Sequence, residues 1–326
     1  MSINHLSFNS LTTNLTCCTD QGYIVYSLQP LEKKSYIELN GGAGMARIYA
    51  NTNMMVLVGG GTKPFKSRES FILYDQLTET AALEIDMKES IKNILITKTN
   101  IVVVLEKKIS VFNWDGVVID TKLTYYNPNG LCVINSALNT VITLGIKKGE
   151  IAVWEYTSDN YKTIEAHQTN IEAIAISYDG LSVATSSETG TLVRVYDTKS
   201  KLLKGEFRRG TYGSTIYDLA FNYAGNVLAC CSNHGTVHLY DLNNNSESRK
   251  NKKSFFTGYG SYLSTYFNSE WGFKQIPLQN TSKAICSFDE NNNLHIVTYD
   301  GSYYKIGIDK EDIGILTQGN LHINNK

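Results

Sequence analysis

A short β-strand unit recurs along the whole chain, and it constrains the fold more than any other feature of the sequence. Each unit has a turn followed by alternating β-forming residues, and its last strong position is aromatic in all but one case. These positions are Tyr26, Tyr74, Phe112, Trp154, Tyr196, Tyr240 and Ile306, separated by 48, 38, 42, 42, 44 and 66 residues. Repeats of about 40–45 residues are typical of β-propellers. The sequence therefore predicts an all-β fold, a seven-bladed β-propeller with four-stranded antiparallel blades.

The two ends of the chain supply enough strands for complete first and last blades. In the first blade, strands are predicted over Leu6–Ser10, Asn14–Thr19 and Ser35–Leu39, in addition to the one that contains Tyr26. In the last blade they are predicted over Gly272–Ile276, Ala284–Phe288, Leu294–Tyr299 and Gly301–Ile308. Closure of the ring hides the sheet edges of an antiparallel protein. We therefore expect residues 1–326 to form one domain whose ring closes without strand exchange between its ends.

The long last interval contains an insertion between Asp241 and Trp271. Residues 243–264 have no strand period and are rich in Asn, Ser and Gly, which is typical of a loop in blade 6. Basic residues come first in this loop and apolar or aromatic ones follow: Arg249, Lys250, Lys252, Lys253, Phe255, Phe256, Tyr259, Tyr262 and Leu263. Cations attract anionic lipids, and aromatic rings lie at head-group depth. The composition predicts a membrane-contacting loop; the alternative is a disordered surface loop.

Composition excludes several classes of protein. The chain has 30 Lys+Arg against 31 Asp+Glu, without the basic excess of a nucleic-acid-binding domain. Its cysteines form no C-x-x-C pair and are predicted to be buried free thiols, as in a reducing compartment; they are Cys17, Cys18, Cys132, Cys230, Cys231 and Cys286. No apolar run approaches the ~18 residues of a membrane span. We expect a cytoplasmic protein that meets membranes from outside.

No motif of a known catalytic site is found. The sequence has no P-loop, no G-x-S-x-G elbow and no H-E-x-x-H helix motif. His234 and His238 are four residues apart, but on a strand this places them about 13 Å apart, too far to share a metal ion. We expect the protein to be no enzyme and to need no cofactor.

One segment concentrates positive charge in this nearly neutral chain. Between Arg194 and Gly210 six basic residues face Asp197 and Glu206; they are Arg194, Lys199, Lys201, Lys204, Arg208 and Arg209. A solvated hairpin is the ordinary interpretation of such a run. However, adjacent side chains of an extended segment point to opposite sides, and guanidinium groups bind phosphate with paired donors. We therefore predict that Arg208 and Arg209 serve pockets on neighbouring blades, with Gly210 allowing a tight bend or a close backbone approach.

The repeat places similar residues on both sides of this arginine pair. Arg194 lies two residues before Tyr196, as His238 does before Tyr240. Ser187 and Ser232 correspond in the same way, as do Thr191 and Thr236, if the earlier unit has one extra residue. Hydroxyl groups with a cationic or imidazole donor thus occur twice. The pattern predicts two related anion sites on neighbouring blades.

Together these features resemble those of the PROPPIN family, WD40-like propellers that bind phosphatidylinositol 3-phosphate and phosphatidylinositol 3,5-bisphosphate. The resemblance rests on the Phe207–Arg208–Arg209–Gly210 motif, the seven repeats and the insertion in the sixth blade. It covers nearly the whole chain. Further similar segments are Leu57–Gly61, Ile101–Glu106, Tyr266–Trp271 and Gly301–Lys305.

The resemblance implies which residues bind the two lipid head groups. The first site comprises His167, Ser187, Thr191, Arg194 and Arg208, and the second comprises Arg209, Ser232, Thr236 and His238. His167 is assigned by the resemblance alone. The implied function is that of an effector or scaffold in autophagy or in endosome and vacuole traffic, monomeric and peripheral on endosomal, vacuolar or pre-autophagosomal membranes. Its other blades would recruit autophagy or traffic proteins. The alternative is a WD40 propeller scaffold that binds only proteins.

The chain also departs from the family pattern. Thr211–Thr215 occupies a segment where members often carry a basic residue, and His234 stands where lysine is common. We therefore expect the second lipid site to be the weaker one. In the second blade, Ser67–Arg68 replaces a Pro-Arg pair that is frequent at the family's partner site. This departure favours a paralogue that serves selective or nuclear microautophagy.

Overall fold

The computed structural model describes residues 2–158, 160–243, 270–271, 273–279, 281–308 and 313–323. These residues form seven blades of four antiparallel strands each, and a two-residue strand is added in parallel to the edge of blade 5. Blade 1 contains β1 (Ile3–Phe8), β2 (Asn14–Thr19), β3 (Gly22–Leu28) and β4 (Leu31–Glu38), and blade 2 contains β5 (Ala43–Ile48), β6 (Met54–Gly59), β7 (Ser70–Asp75) and β8 (Thr80–Asp86). Blade 3 contains β9 (Asn93–Ile96), β10 (Asn100–Val104), β11 (Lys108–Asn113) and β12 (Val118–Leu123), and blade 4 contains β13 (Cys132–Asn135), β14 (Thr140–Leu144), β15 (Glu150–Glu155) and β16 (Asn160–Glu165).

The remaining blades follow the same order, with one interruption. Blade 5 contains β17 (Ile171–Ile176), β18 (Ser182–Ser187), β19 (Leu192–Asp197) and β20 (Leu203–Arg208). Blade 6 contains β21 (Ile216–Phe221), β22 (Val227–Ser232) and β23 (Thr236–Asp241), and after the two-residue β24 (Glu270–Trp271) it is completed by β25 (Lys274–Pro277). Blade 7 contains β26 (Ala284–Phe288), β27 (Asn293–Thr298), β28 (Ser302–Ile308) and β29 (Ile313–Asn320). The predicted seven-bladed propeller is confirmed.

The hydrophobic core lies between the blades. Second strands such as β10 and β14 are buried along their whole length, whereas outer strands such as β8 and β12 alternate between exposed and partly buried residues. The described residues form seven buried clusters, and each cluster joins two neighbouring blades. Face-to-face packing of this kind explains why the middle strands carry the clearest repeat in the sequence.

The ring closes without strand exchange, as predicted. All strands of blade 1 come from the N-terminal segment and all strands of blade 7 from the C-terminal one. One hydrophobic cluster joins the two blades and includes Leu15, Tyr26 and Tyr303. Side-chain hydrogen bonds add to it, for example from Gln29 Nε2 to Asp289 Oδ2 at 2.8 Å.

One part of the strand prediction for the last blade was wrong. The strand predicted over Gly272–Ile276 belongs to blade 6, because β25 pairs antiparallel with β23. The fourth strand of blade 7 is instead β29, which pairs with β28. The insertion lies between the third and fourth strands of blade 6. The strand that completes this blade therefore follows the insertion and is easily counted with the next blade.

All six cysteines are free and buried, as predicted. No helix of the described residues is long and apolar enough to cross a membrane. Residues 244–264, and with them every side chain assigned to the membrane-contacting loop, lie outside the described residues.

Candidate functional site

The residues predicted from the repeat lie at equivalent positions of blades 5 and 6. Ser187 is the last residue of β18, and Ser232 is the last residue of β22. Arg194 and His238 are each the third residue of the third strand in their blade. For these two pairs the correspondence inferred from spacing is also structural, whereas Thr191 precedes β19 and Thr236 is the first residue of β23, an offset of one residue.

Phe207 fixes the position of the two arginines that follow it. Its side chain is 4% exposed and lies in the cluster between blades 5 and 6, with its ring centroid 5.3 Å from that of Tyr240. Arg208 ends β20 opposite Leu192, and the amide of Arg209 donates to the carbonyl of Thr191 at 2.9 Å. The phenylalanine thus anchors the strand end, and backbone pairing continues through both arginines.

The first cluster centres on Arg194. Its Nη1 donates to the carbonyl oxygen of Ala166 at 2.7 Å, and its Nε donates to Glu206 Oε2 at 2.8 Å. His167 Nε2 lies 3.1 Å from Thr185 Oγ1. Burial, and then the positive charge of Arg194, lowers the pKa of His167 to about 4. At neutral pH this imidazole is uncharged and lies beside a guanidinium held in place by a carbonyl and a carboxylate.

Hydroxyl groups and a second arginine complete the first cluster. Ser187 is 5% exposed, and its Oγ lies 2.9 Å from Thr189 Oγ1. Thr191 immediately precedes β19, and Arg208 is 4% exposed. Of the five residues predicted for the first lipid site, four thus lie on β18, β19 or β20 or directly beside them. His167 lies between β16 and β17 and contacts β18 through Thr185.

The second cluster centres on Arg209, which is 6% exposed. Its Nε donates to the carbonyl oxygen of Gly190 at 3.0 Å, and its Nη2 donates to that of Tyr212 at 2.5 Å. Burial lowers the pKa of Arg209. The two carbonyls hold the guanidinium in one orientation, between the β18–β19 turn of blade 5 and the chain that enters blade 6.

Two buried polar atoms of blade 6 have no hydrogen-bond partner among the described residues: Ser232 Oγ and His238 Nδ1. Burial, and then the charge of Arg209, lowers the pKa of His238 to about 4. Buried polar atoms are nearly always hydrogen-bonded in folded proteins. An unpaired hydroxyl and a neutral imidazole near a buried guanidinium are therefore well suited to a polar, anionic ligand.

A cavity of about 250 Å³ opens beside the second arginine. It is lined by Arg209, Gly210, Thr211, Tyr212 and His234. A Cβ on Gly210 would meet no atom within 4 Å, and the residue does not have the left-handed backbone that favours glycine. The expectation of a close backbone approach at Gly210 is therefore wrong, and no left-handed turn requires glycine at this position. The effect of Gly210 is to keep the wall of the cavity open.

The basic run of the sequence separates into two groups in the structure. Lys199 and Lys201 lie in the turn between β19 and β20, about 17 Å along the strand from Arg208. Lys204 Nζ donates to Ser182 Oγ at 2.8 Å. The solvated-hairpin interpretation thus holds for the lysines, whereas Arg194, Arg208 and Arg209 gather at the other end of the hairpin.

The chain leaving the insertion returns beside the arginine motif. β24 pairs parallel with β20, with Glu270 opposite Phe207 and Trp271 opposite Arg208. This pairing could not be predicted from the sequence, because it joins segments of two different blades across a long insertion. It brings the C-terminal end of the insertion to the first cluster.

Two further contacts at the site were not predicted. Glu206 was counted only as a charge in the basic run, although it lies opposite Arg194 in the β19–β20 register. Tyr212 supplies a carbonyl to Arg209 and a wall to the cavity. Among the described residues no group of three or more His, Cys, Asp or Glu is arranged to hold a metal ion.

Comparison with known proteins identifies relatives along the whole chain. The family model described as PROPPIN matches residues 2–271. SVP1-like protein 2 of Pichia angusta is 27% identical over 298 residues, which cover 87% of this chain and 83% of that protein. Autophagy-related protein 18e of Arabidopsis thaliana is 26% identical over 328 residues, which cover 98% of this chain and 87% of that protein.

Solved structures share the fold over nearly their full length. Hsv2p of Kluyveromyces lactis superposes with a TM-score of 0.80 at 21% identity, covering 99% of this chain and 100% of that one. KlAtg21, solved in complex with the coiled-coil of AgAtg16, also gives a TM-score of 0.80, at 20% identity and with coverage of 98% and 99%. At these identities the likeness establishes the propeller architecture.

Proposed function

Because the chain belongs to the PROPPIN family, we propose that it is a peripheral membrane protein that binds phosphatidylinositol 3-phosphate and phosphatidylinositol 3,5-bisphosphate. It acts as an effector or scaffold in autophagy or in endosome and vacuole traffic. One observation carries the proposal: two adjacent buried arginines, Arg208 at the end of β20 and Arg209 directly after it, lie between two equivalent clusters that each contain a buried hydroxyl and a neutral histidine.

The chemistry of both clusters suits phosphorylated inositol. Guanidinium groups offer planar, paired N–H donors to phosphate oxygens, and hydroxyl groups can donate to phosphate or accept from the ring hydroxyls. Arg194 and Arg208 serve the first head group, together with His167, Ser187 and Thr191. Arg209 serves the second, with Ser232, Thr236 and His238. Because Arg194 and Arg209 are already held by protein oxygens, little side-chain entropy is lost when the lipid binds.

Membrane binding combines these head-group sites with the inserted loop. A single weak anchor binds a protein to the membrane only marginally. When several anchors are linked in one protein, the overall affinity rises because each bound anchor increases the effective concentration of the others. The pairing of β24 with β20 supports a joint role, because it places the chain that follows the loop beside Arg208. Residues 243–264 then provide cations for the lipid surface and aromatic rings for the interface.

The names of the relatives support the role in traffic. One relative is an autophagy-related protein, and one structural neighbour was solved with the coiled-coil of AgAtg16. We therefore infer that other blades of this chain recruit proteins to the membrane. The competing function is that of a propeller that binds only proteins, and the arginine clusters distinguish the two.

Flotation with liposomes tests the proposal. The variant Arg208→Thr/Arg209→Thr should lose about tenfold or more of its binding to vesicles with phosphatidylinositol 3-phosphate, because each lost charge-assisted contact is worth roughly 1.5–3 kcal/mol. The matched control Lys199→Thr/Lys201→Thr removes the same charge from the opposite end of the hairpin and should float like wild type. Thermal unfolding verifies that both variants remain folded. Unchanged flotation of the arginine variant would favour the protein-only scaffold.

A further inference from the structure

The first strands of the seven blades surround a central channel, and polar side chains from three neighbouring blades line it. Neighbouring first strands such as β1 and β5, or β21 and β26, contact each other, and each pairs with a single strand of its own blade. Three residues on these strands form what we call the channel cluster: His5 on β1, Arg47 on β5 and Asn93 on β9. All three are partly exposed although their strands lie at the centre of the ring. Their exposed surface therefore faces the channel.

A hydrogen bond between β1 and β5 places His5 beside Arg47. Ser7, two residues after His5 and on the same side of β1, donates through Oγ to the carbonyl oxygen of Ala46 at 2.7 Å. Ala46 directly precedes Arg47. Burial, and then the positive charges of Arg47 and Lys283, lowers the pKa of His5 to about 3. The imidazole is therefore neutral at physiological pH and lies in a region of positive potential.

Arg47 extends toward the axis of the channel without a counterion in contact. Its Nη2 donates to Asn93 Oδ1 at 3.1 Å, and its Nε is buried without a hydrogen-bond partner among the described residues. In the described part of the chain, no carboxylate forms an ion pair with it. Burial lowers the pKa of Arg47, while Tyr299 of blade 7 and Asp218 of blade 6 act in the opposite direction. Because blades 6 and 7 do not adjoin blade 2, both groups act on the guanidinium across the channel.

Asp218 does not take the place of a counterion, because its oxygens accept hydrogen bonds from the backbone. Its Oδ1 accepts from the amide of Leu219 and its Oδ2 from the amide of Cys286, both at 2.9 Å. Burial also raises the pKa of Asp218 to about 6. The carboxylate thus joins β21 to β26 and leaves the N–H donors of Arg47 available.

A second nitrogen of the channel cluster is buried and unpaired. His5 Nδ1, like Arg47 Nε, has no hydrogen-bond partner among the described residues. Buried polar atoms are nearly always hydrogen-bonded in folded proteins, and buried charges are nearly always paired. A guanidinium only donates hydrogen bonds, and a neutral imidazole donates from Nδ1 in one of its tautomers. The ligand that satisfies both nitrogens is therefore an acceptor with negative charge.

We propose that the channel cluster binds a small inorganic oxyanion of the phosphate or sulfate class. Arg47 donates through Nε–H and through the Nη protons that Asn93 does not use, and His5 donates through Nδ1–H. Asn93 is a positioning residue that orients the guanidinium. Guanidinium groups suit this ligand because their paired donors match two oxygens of one oxyanion. The site lies on blades 1 to 3, whereas the lipid clusters lie on blades 5 and 6, so it does not depend on the proposed lipid binding.

Titration calorimetry with inorganic phosphate tests the proposal. The full-length variant Arg208→Thr/Arg209→Thr is used, so that the lipid clusters contribute little to phosphate binding. Adding Arg47→Met should weaken the binding about tenfold or more, because charge-assisted hydrogen bonds are lost while an unbranched side chain is kept. The matched control Arg68→Met removes an exposed arginine of the same blade, which donates to the carbonyl oxygen of Gly61, and should leave the affinity unchanged.

Anomalous diffraction locates the anion without any substitution in the cluster. Crystals of the wild type are soaked in selenate, which has the shape and charge of sulfate and scatters anomalously. A selenium peak is expected within hydrogen-bond distance of Arg47 Nε and His5 Nδ1. This measurement decides the question even if Arg47→Met does not fold.

Flotation separates a free anion from a lipid head group as the ligand. Arg47→Met should float with vesicles containing phosphatidylinositol 3-phosphate like wild type, because the cluster lies inside the ring. The proposal is overturned if the Arg208→Thr/Arg209→Thr protein binds no phosphate, or if Arg47→Met and Arg68→Met bind it equally well. It is also overturned if selenate gives no peak at the cluster, or if Arg47→Met loses flotation. Because calorimetry uses free phosphate, a failure of the lipid proposal would leave this one standing.

Discussion

At the scale of single residues, Arg194 and Arg209, the arginines at the centres of the two clusters, differ in their surroundings. Arg209 is held by two carbonyl oxygens, and it lies close enough to His238 to affect its ionisation. Arg194 is held partly by a carboxylate, Glu206. A phosphate at the first cluster would meet that negative charge. The second cluster has unpaired polar atoms, and no carboxylate of the described residues forms an ion pair with its arginine. Our expectation that the second site is weaker, drawn from sequence departures, stays a prediction.

His238 makes folding stability depend on pH. Its pKa is about 4 in the folded protein and about 6.5 in an unfolded chain, so between these values the unfolded state binds more protons. Stability is therefore fully present above pH 6.5 and is lost as the pH falls. Between pH 7 and pH 5 the protonation of this histidine in the unfolded state should lower the free energy of unfolding by about 2 kcal/mol. Urea unfolding of lipid-free wild type and His238→Gln at both pH values measures the effect, and the loss of stability between pH 7 and pH 5 should be about 2 kcal/mol smaller in the variant.

A second histidine variant provides the comparison for this experiment. His234→Gln removes an exposed imidazole only four residues away and should keep the pH dependence of the wild type. Parallel pH profiles for wild type and His238→Gln would contradict the assignment of a buried neutral imidazole. Comparison with the wild type at the same pH also cancels the contributions of other buried titratable groups, such as Asp218, whose pKa burial raises to about 6.

The positions of the two clusters could be predicted from the sequence, but the contacts of their side chains could not. Counting back from Tyr196 and Tyr240 found Arg194 and His238 because a strand repeat fixes position along each blade. It could not pair Arg194 with Glu206, since that requires the hairpin register, which contains a bulge. It also gave Gly210 a backbone role that the structure does not support. Glycine in a motif does not by itself distinguish a strained turn from space left for a ligand.

At the scale of elements, a repeated amide contact joins several blades. Asparagines at the end of the first strand donate through Nδ2 to the first turn of the next blade, each at 2.8 Å. The donors are Asn9, Asn135 and Asn222, and their acceptors are Ala50 O, Tyr178 O and Asn292 Oδ1. These hydrogen bonds stabilise one edge of the interfaces between blades 1 and 2, blades 4 and 5, and blades 6 and 7. They act in addition to the hydrophobic cluster in each of these interfaces.

The strands that the sequence predicted least well are the outer ones. β29 has mostly exposed or partly buried residues and no strong alternation, so its sequence carries little signal. β25 follows the long insertion and ends at Pro277. Proline lacks a backbone N–H, which is tolerated here because no further strand pairs with the outer side of β25. Middle strands, packed on both faces, are constrained by neighbours and therefore keep the repeat that reveals the fold.

The inserted loop should bind the membrane independently of head-group recognition. Replacing Phe255, Phe256, Tyr259 and Tyr262 with serine removes the aromatic rings while keeping every cation of the loop. Retention on liposomes should fall about tenfold or more, since each buried ring contributes roughly 1.5–3 kcal/mol of transfer free energy. Binding of the soluble head group, measured by calorimetry, should be unchanged because both arginine clusters are intact. Equal loss in the two assays would mean that the loop supports the fold of the sites.

At the scale of the whole molecule, the ring depends on side chains at the junction of blades 1 and 7, because no exchanged strand closes it. Asp289 is 1% exposed, and its carboxylate accepts from Gln29 Nε2 and from the amide of Asn293, both at 2.8 Å. It also lies 3.1 Å from Nε2 of the fully buried His295, whose Nδ1 lies 2.9 Å from the hydroxyl of Tyr303. Burial lowers the pKa of His295, so a neutral imidazole accepts from Tyr303 and donates to Asp289.

Removal of this acceptor should open the ring at the junction. Asp289→Ala leaves buried donors of Asn293 and His295 unpaired and should lower the free energy of unfolding by about 3 kcal/mol or more. The control Asp115→Ala, at an exposed turn of blade 3, should change it by about 0.5 kcal/mol at most. Urea unfolding measures both. Hydrogen exchange should show loss of protection first in β1–β4 and β26–β29, since the strands of blades 3 to 5 keep both neighbours. Uniform loss around the ring would mean that the junction is no weaker than the other six interfaces.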